Sequence, residues 1–131
     1  MSKIINVAAA IIYDLNGKIL ICQRDDSGNC ANLWEFPGGK CNPQENMEEC
    51  LFRECREELD VDIEVLGLFD ELTYEYPDRT IHFKFFRARI RSGTPRLIVH
   101  EDMRWVLKCE MEKYAFCPAD HGVVEKLLKS V

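Results

Sequence analysis

Glu54, Glu57 and Glu58 stand at i, i+3 and i+4, a spacing that puts three carboxylates on one face of a helix. Like charges set that closely repel, by about 0.2–0.5 kcal/mol per pair on an exposed helix. A cluster that costs stability points to a cation that offsets it. Carboxylate oxygens with no histidine or cysteine among them suit a hard ion, Mg2+ with Mn2+ as a possible substitute. The acids belong to a longer run, Gly39-x5-Glu45-x7-Arg53-Glu54-Cys55-Arg56-Glu57-Glu58-Leu59-Asp60-Val61. The plain alternative is a solvated acidic helix with ion pairs, but a polar helix rarely fixes so many identities at once.

The elements that must position these groups are legible around them. A helix is expected from Met47 to Leu59, with Asn46 as N-cap and Glu49 three residues later as a capping box. Asn42, followed by Pro43 and Glu45, is a rival start. Met47, Leu51 and Cys55 form the stripe that should be buried, opposite the glutamates. Before the helix, Lys3 to Tyr13 carries a continuous apolar run and reads as a central strand. Asp14-Leu15-Asn16-Gly17 is a turn, and Lys18 to Arg24 returns as the partner strand. Asp25 to Asn32 is a polar loop; Leu33 to Phe36 is a short apolar segment, and Pro37-Gly38-Gly39 breaks it. After the helix, Ile63 to Tyr76 and Thr80 to Arg91 form a long hairpin through Pro77-Asp78-Arg79, with Ile81, Phe83 and Phe85 on one face. Met103 to Leu107 is another short strand. Ala119 to Lys129 closes the chain as a helix with Val123, Val124, Leu127 and Leu128 on its apolar side. That order predicts an α/β fold, a mixed β-sheet between helices.

Composition narrows the class. The 131 residues suit one domain, 1–131, and 47% hydrophobic content suffices for a core. A net charge of −6 argues against a nucleic-acid-wrapping surface. It leaves a nucleotide substrate open, because a bound metal inverts the local charge. Seven cysteines are irregularly spaced with no C-x-x-C pair, so free thiols in a reducing cytoplasm are expected, most of them buried. No signal peptide is recognised, and the apolar run Val7 to Tyr13 is too short to span a bilayer. His82, His100 and His121 lack ligand spacing and are read as structural or surface residues. Trp105 is read as strand core.

The run from Gly39 to Val61 resembles the box of the Nudix hydrolase superfamily: glycine, five residues, glutamate, seven residues, then Arg-Glu-aliphatic-x-Glu-Glu-x-Gly-aliphatic. Cys55 replaces an aliphatic residue, a mild change for a small buried side chain. Asp60 replaces a glycine that follows the helix, where a left-handed residue is common and Asp is tolerated. Outside the box, Trp34-Glu35-Phe36-Pro37-Gly38-Gly39-Lys40, Tyr74-Glu75-Tyr76-Pro77-Asp78-Arg79 and Cys117-Pro118-Ala119-Asp120 look most like the MutT group and the related CTP pyrophosphohydrolases. The resemblance covers nearly the whole chain.

It implies a Nudix fold and a Mg2+-dependent nucleoside triphosphate pyrophosphohydrolase that sanitises the nucleotide pool. Carried over residue by residue, Glu54, Glu57 and Glu58 hold metal, with the Gly38 carbonyl as a further ligand. Glu54 or Glu57 also accepts the attacking water's proton. Glu101, with Asp102 as its rival, is the last metal acid, from the loop before the late strand. Arg53 pairs with Glu45 and orients the cluster. Arg24 and Lys40 flank the triphosphate. Phe36, Arg79 and Asp120 surround the base, and Gly39 and Glu45 are structural parts of the box. Asp120 stands where MutT has an asparagine for 8-oxoguanine. Ionised Asp only accepts hydrogen bonds, so a cytosine nucleotide, CTP or a 5-modified dCTP, competes with 8-oxo-dGTP; a protonated Asp restores a donor. Asp120 is also a plausible helix N-cap. The expected partner is a small-molecule nucleotide, with a monomer, no nucleic acid and no membrane. Two other classes stand beside this: a Nudix domain that only senses a nucleotide, and a DNA-repair module.

Overall fold

Ala8, Ala10 and Ile12 face one side of the first strand and Ala9 and Ile11 the other, and all five are buried. In the computed structural model, which describes residues 3–130, that strand is β1 (Lys3–Tyr13). It is the axis of a seven-stranded mixed sheet. β2 is Ile19–Gln23, β3 Trp34–Glu35, β4 Gly38–Lys40, β5 Asp62–Glu75, β6 Arg79–Ser92 and β7 Asp102–Val106. β1 runs parallel to β6 from Lys3↔Arg79 to Tyr13↔Arg89. Its other edge is antiparallel, to β2 at Tyr13↔Ile19 and to β4 at Val7↔Lys40 through Ala9↔Gly38. The helices are α1 (Met47–Leu59) and α2 (His121–Lys129).

Each face of the sheet has its own core. Ala8, Ala10, Ile12, Leu20, Cys22 and Phe86 pack with Cys50, Leu51, Cys55 and Leu59 of α1. Ala9, Ile11, Ile19, Ile21, Phe36 and Phe85 pack with Phe116 and with Val123, Val124 and Leu127 of α2. The α/β expectation is met, a mixed sheet with helices on both sides.

Local differences from the sequence reading have physical causes. Gly38 and Gly39 do not merely break the chain; with Lys40 they form β4. A Cβ on Gly38 would lie 2.0 Å from the Ala8 carbonyl oxygen, so only glycine lets this strand lie against β1. The hairpin turn is tighter than expected: Tyr76 and Arg79 exchange backbone hydrogen bonds of 2.7 and 3.3 Å, which makes Arg79 the first residue of β6. Pro118–Asp120 forms a 3-10 turn, so the last helix begins at His121. Lys108–Lys113, not assigned from sequence, is a second 3-10 turn.

At α1 the capping box is present: Asn46 Oδ1 accepts from Glu49 N–H at 2.8 Å and Glu49 Oε1 accepts from Asn46 N–H at 3.0 Å. Asp60 is left-handed at φ 59°, ψ 42°, and its N–H donates to the Arg56 carbonyl at 3.1 Å. It adopts the conformation that glycine would supply.

Candidate active site

β4 and α1 present the acid cluster, and Arg53 ties the two together. Its Nε and Nη2 donate to Glu45 Oε2 and Oε1 at 2.7 and 2.9 Å, a bidentate fork. Its Nη1 reaches Glu54 at 2.9 Å and Glu57 at 3.1 Å, and its Nη2 also reaches the Lys40 carbonyl at 3.1 Å. The Arg53 bond and the Asn42 amide hold the Glu45 carboxyl down at about 2. One guanidinium therefore fixes the end of β4, the loop before α1 and one side of the glutamate face.

The three glutamates are not equivalent. Glu54 is 13% exposed and Glu57 is 58% exposed. Glu58 is largely buried, and its Oε1 has no hydrogen-bond partner. Burial first, then the charges of Glu54 and Glu35, push the Glu58 carboxyl up to about 8; only the Gly38 backbone amide acts the other way. The expected stripe opposite the glutamates needs correcting: Cys50, Leu51, Cys55 and Leu59 are buried, Met47 only partly, and Glu58 sits beside them.

Glu54 and Glu58 open into a cleft of about 660 Å³. The same cleft is lined by Arg24, Phe36, Gly38, Gly39, Lys40, Arg79 and Asp120. Gly39 has no room for a side chain, since a Cβ there would lie 2.5 Å from the Glu54 carboxylate. Arg24 donates from Nη1 to Glu35 Oε1 at 3.1 Å and from Nε to the Asn29 carbonyl at 3.1 Å. Arg79 lies over the Tyr76 ring, 5.3 Å from its centroid, with a buried Nε that has no partner. Phe36 is both core and cleft wall: it packs against Phe85 and Phe116 and is 3% exposed.

Asp120 closes the far end, 6% exposed. It makes no side-chain cap bond to α2, which corrects the N-cap reading. Its carboxylate accepts instead from the Phe36 backbone N–H, while burial and the charge of Glu35 push its pKa well above the ordinary value. The cleft therefore has an acidic end at Glu54 and Glu58, cations at Arg24, Lys40 and Arg79, and the buried Asp120 carboxyl beside aromatic walls.

Glu57 and Glu101 lie outside this cleft. Glu57 is turned to Arg53. Glu101 is exposed, its N–H donating to the Gln23 carbonyl at 2.8 Å, and Asp102 bonds to Arg104 at 3.0 Å. The neighbour of Glu101 is the group turned inward. His100 is 4% exposed, bonds from Nε2 to Glu35 Oε2 at 3.0 Å, and lines a smaller recess with Arg24 and Glu58. All three histidines make structural bonds, His82 to Thr73, His121 to the Phe116 carbonyl and His100 to Glu35; what their spacing did not show is that His100 lies beside Arg24 and Glu58. Glu35 was equally missed, although it lies inside the Trp34–Lys40 segment. Its only sequence signal was a charged residue within the short apolar segment Leu33 to Phe36.

The donor set fits a hard divalent cation. Among the described residues no three His, Cys, Asp or Glu side chains form a ready cage. Yet a buried, unpartnered carboxylate oxygen on Glu58, with Glu54 beside it, is an arrangement that a positive ion would complete. Glu54 and Glu58 could hold the ion directly, with Gly38 in the same cleft wall. No helix among the described residues is long and apolar enough to cross a membrane.

A family profile described as NUDIX domain matches residues 8–126. The CTP pyrophosphohydrolase of Escherichia coli K12 is 36% identical over 126 residues, covering 96% of this chain and 93% of that protein. The 8-oxo-dGTP diphosphatase of the same organism is 33% identical over 125 residues, covering 95% of this chain and 97% of that one. The solution structure of the DNA mismatch repair protein MutT, a Nudix hydrolase from methicillin-resistant Staphylococcus aureus 252, superposes with a TM-score of 0.80 at 34% identity, covering 98% of both chains.

Proposed function

Because this chain belongs to the NUDIX domain family, we propose that it is a Mg2+-dependent nucleoside triphosphate pyrophosphohydrolase that acts on 8-oxo-dGTP or a similar modified deoxynucleotide and releases the monophosphate and pyrophosphate. The observation that carries the reading is the buried, unpartnered Oε1 of Glu58 beside Glu54, in a cleft that Asp120 also lines. Mg2+, with Mn2+ as substitute, supplies charge neutralisation of the phosphates and acidification of water when bound.

The chain's own residues do the rest. Glu54, Glu57 and Glu58 hold the ion, with the Gly38 carbonyl, and Glu101 joins them if its loop turns inward. Glu54 or Glu57 takes the proton of the attacking water. Arg53 keeps Glu54 and Glu57 aligned through the Glu45 fork. Arg24 and Lys40 meet the phosphate oxygens, Arg24 with the planar guanidinium suited to them. Phe36 and Arg79 flank the base. Asp120, whose pKa burial raises well above the ordinary value, both donates and accepts when protonated, as an asparagine amide would. That favours a purine carrying both kinds of edge.

A second reading rests on the same residue and on the likeness to the E. coli CTP pyrophosphohydrolase. If substrate entry ionises Asp120, the carboxylate becomes an acceptor for the cytosine amino group. In this reading the enzyme acts as a monomer in the cytoplasm and needs no nucleic acid. Pyrophosphate release across 8-oxo-dGTP, dGTP, CTP, dCTP, 5-methyl-dCTP and ADP-ribose tests the choice. Preference for 8-oxo-dGTP supports the first reading, preference for cytosine nucleotides the second, and binding without turnover a sensor.

A further inference from the structure

Three sulfur atoms meet on the far side of β4 from the nucleotide cleft. Cys41 follows β4 directly and is held there by a 2.8 Å bond from its N–H to the Asn6 carbonyl. Met47 opens α1 and Cys50 lies three residues on, so the two share one side of the helix. The Cys41 Sγ lies 3.4 Å from the Met47 Sδ, and Cys41 and Cys50 are close enough for each thiol to perturb the other. The Cys50 Sγ also stands 3.6 Å from the Gly39 carbonyl oxygen. Cys50 is fully buried, whereas Cys41 and Met47 line an open groove of about 630 Å³. Glu45 and Glu48 stand at the mouth of that groove, with His82 and Lys84 on its far wall.

Two thiols and a thioether gathered at one place, reachable from solvent on one side and closed on the other, are a soft donor set. None of the three takes part in the nucleotide chemistry. We propose that Cys41, Met47 and Cys50 form a binding site for a soft monovalent cation of the Cu(I) class, separate from the carboxylate centre. Binding is an exchange without electron transfer: Cu(I) enters, both thiols release their protons to solvent, two copper–thiolate bonds form, and the thioether completes a three-sulfur set. When empty, the thiols stay protonated, because burial raises both. The carboxylate centre has oxygen donors only, so the two sites select opposite classes of ion. The sulfur site also touches Gly39, whose far side abuts Glu54, so an occupied site bears on the strand that carries the acid cleft.

The test is an anaerobic titration of the whole chain with Cu(I), supplied as its acetonitrile complex against a chromogenic Cu(I) chelator. The expected result is a single tightly held Cu(I) per chain with a thiolate-to-copper charge-transfer band, and proton release on binding. Cys41→Ser and Cys50→Ala each weaken the hold by roughly a hundredfold, and Met47→Leu, which conserves volume, by about tenfold. Cys30→Ser and Cys109→Ser leave it unchanged. Should Cys50→Ala fail to fold, Cys41→Ser and Met47→Leu decide the matter. Wild-type protein that holds Cu(I) no tighter than Cys41→Ser, or retention of full affinity in Met47→Leu, overturns the site.

Discussion

Glu58→Gln should make the metal-free protein more stable at pH 8 while abolishing its activity. Glutamine keeps the shape of the side chain and removes the charge that burial opposes. The Glu58 carboxyl lies at about 8 in the folded chain against 4.5 unperturbed. Between those values the folded state holds a proton that the unfolded state has lost, so wild-type stability falls as pH rises from 4.5 to 8. At about 1.4 kcal/mol per pH unit, the gap sets a ceiling of roughly 5 kcal/mol. Turning of the ionised carboxylate toward water in the open cleft lowers this to about 2–3 kcal/mol. Urea unfolding in a metal chelator, at intervals from pH 4.5 to 9, reads the effect directly. Wild type should lose that stability relative to Glu58→Gln across the window and then run parallel above pH 8. Saturating Mg2+ should restore stability to wild type alone, since ligand binding to the folded state adds RT ln(1 + [L]/Kd). Parallel stability curves for the two proteins from pH 4.5 to 8 would refute the burial argument and with it the claim that Glu58 waits for a cation.

Arg53→Lys should lower kcat by about 10–100-fold with little change in KM, because an ammonium cannot hold the Glu45 fork and reach Glu54 and Glu57 together; steady-state kinetics checks this, and an unchanged kcat would remove Arg53 from the machinery. Gly39→Ala should fold yet lose most turnover, since its Cβ would fall 2.5 Å from the Glu54 carboxylate, whereas Gly122→Ala, with nothing within 4 Å, should turn over normally. Asp120→Asn should keep the preference among nucleotides and Asp120→Leu should lose roughly a hundredfold or more of it in kcat/KM; loss of preference in the asparagine variant would mean that the ionised form is the one that reads the base.

Much of this was legible because it is local. The i, i+3, i+4 spacing of Glu54, Glu57 and Glu58 sets a helix face, Asn46 and Glu49 cap it within one turn, and Asp60 tolerates the left-handed turn that ends it. The Arg53–Glu45 pair was also expected, and eight residues separate them. What the sequence could not display depends on contacts between distant segments. Glu58 is spaced like the exposed Glu57, and only the packing of α1 on β1 and β4 buries it. Gly38 and Gly39 read as a break because their strand exists only through its pairing with Ala8 and Ala9. His100 and Glu35 are 65 residues apart, so no spacing pattern joins them. Phe36 and Asp120 meet because the 3-10 turn at Pro118 carries the carboxylate back to the sheet, which turned a plausible N-cap into a buried group of the cleft.

In the proposed function, the Glu54–Glu58 end of the cleft directs divalent-cation-dependent cleavage of a nucleoside triphosphate. The most direct measurement follows 8-oxo-dGTP by phosphorus NMR in one sample of this protein, first in chelator and then after Mg2+ is added in excess. The account predicts no change in chelator, then resonances of monophosphate and pyrophosphate appearing together in equal amounts, and neither with Glu54→Gln. Turnover that persists in chelator, or orthophosphate and nucleoside diphosphate as the first products, would contradict it.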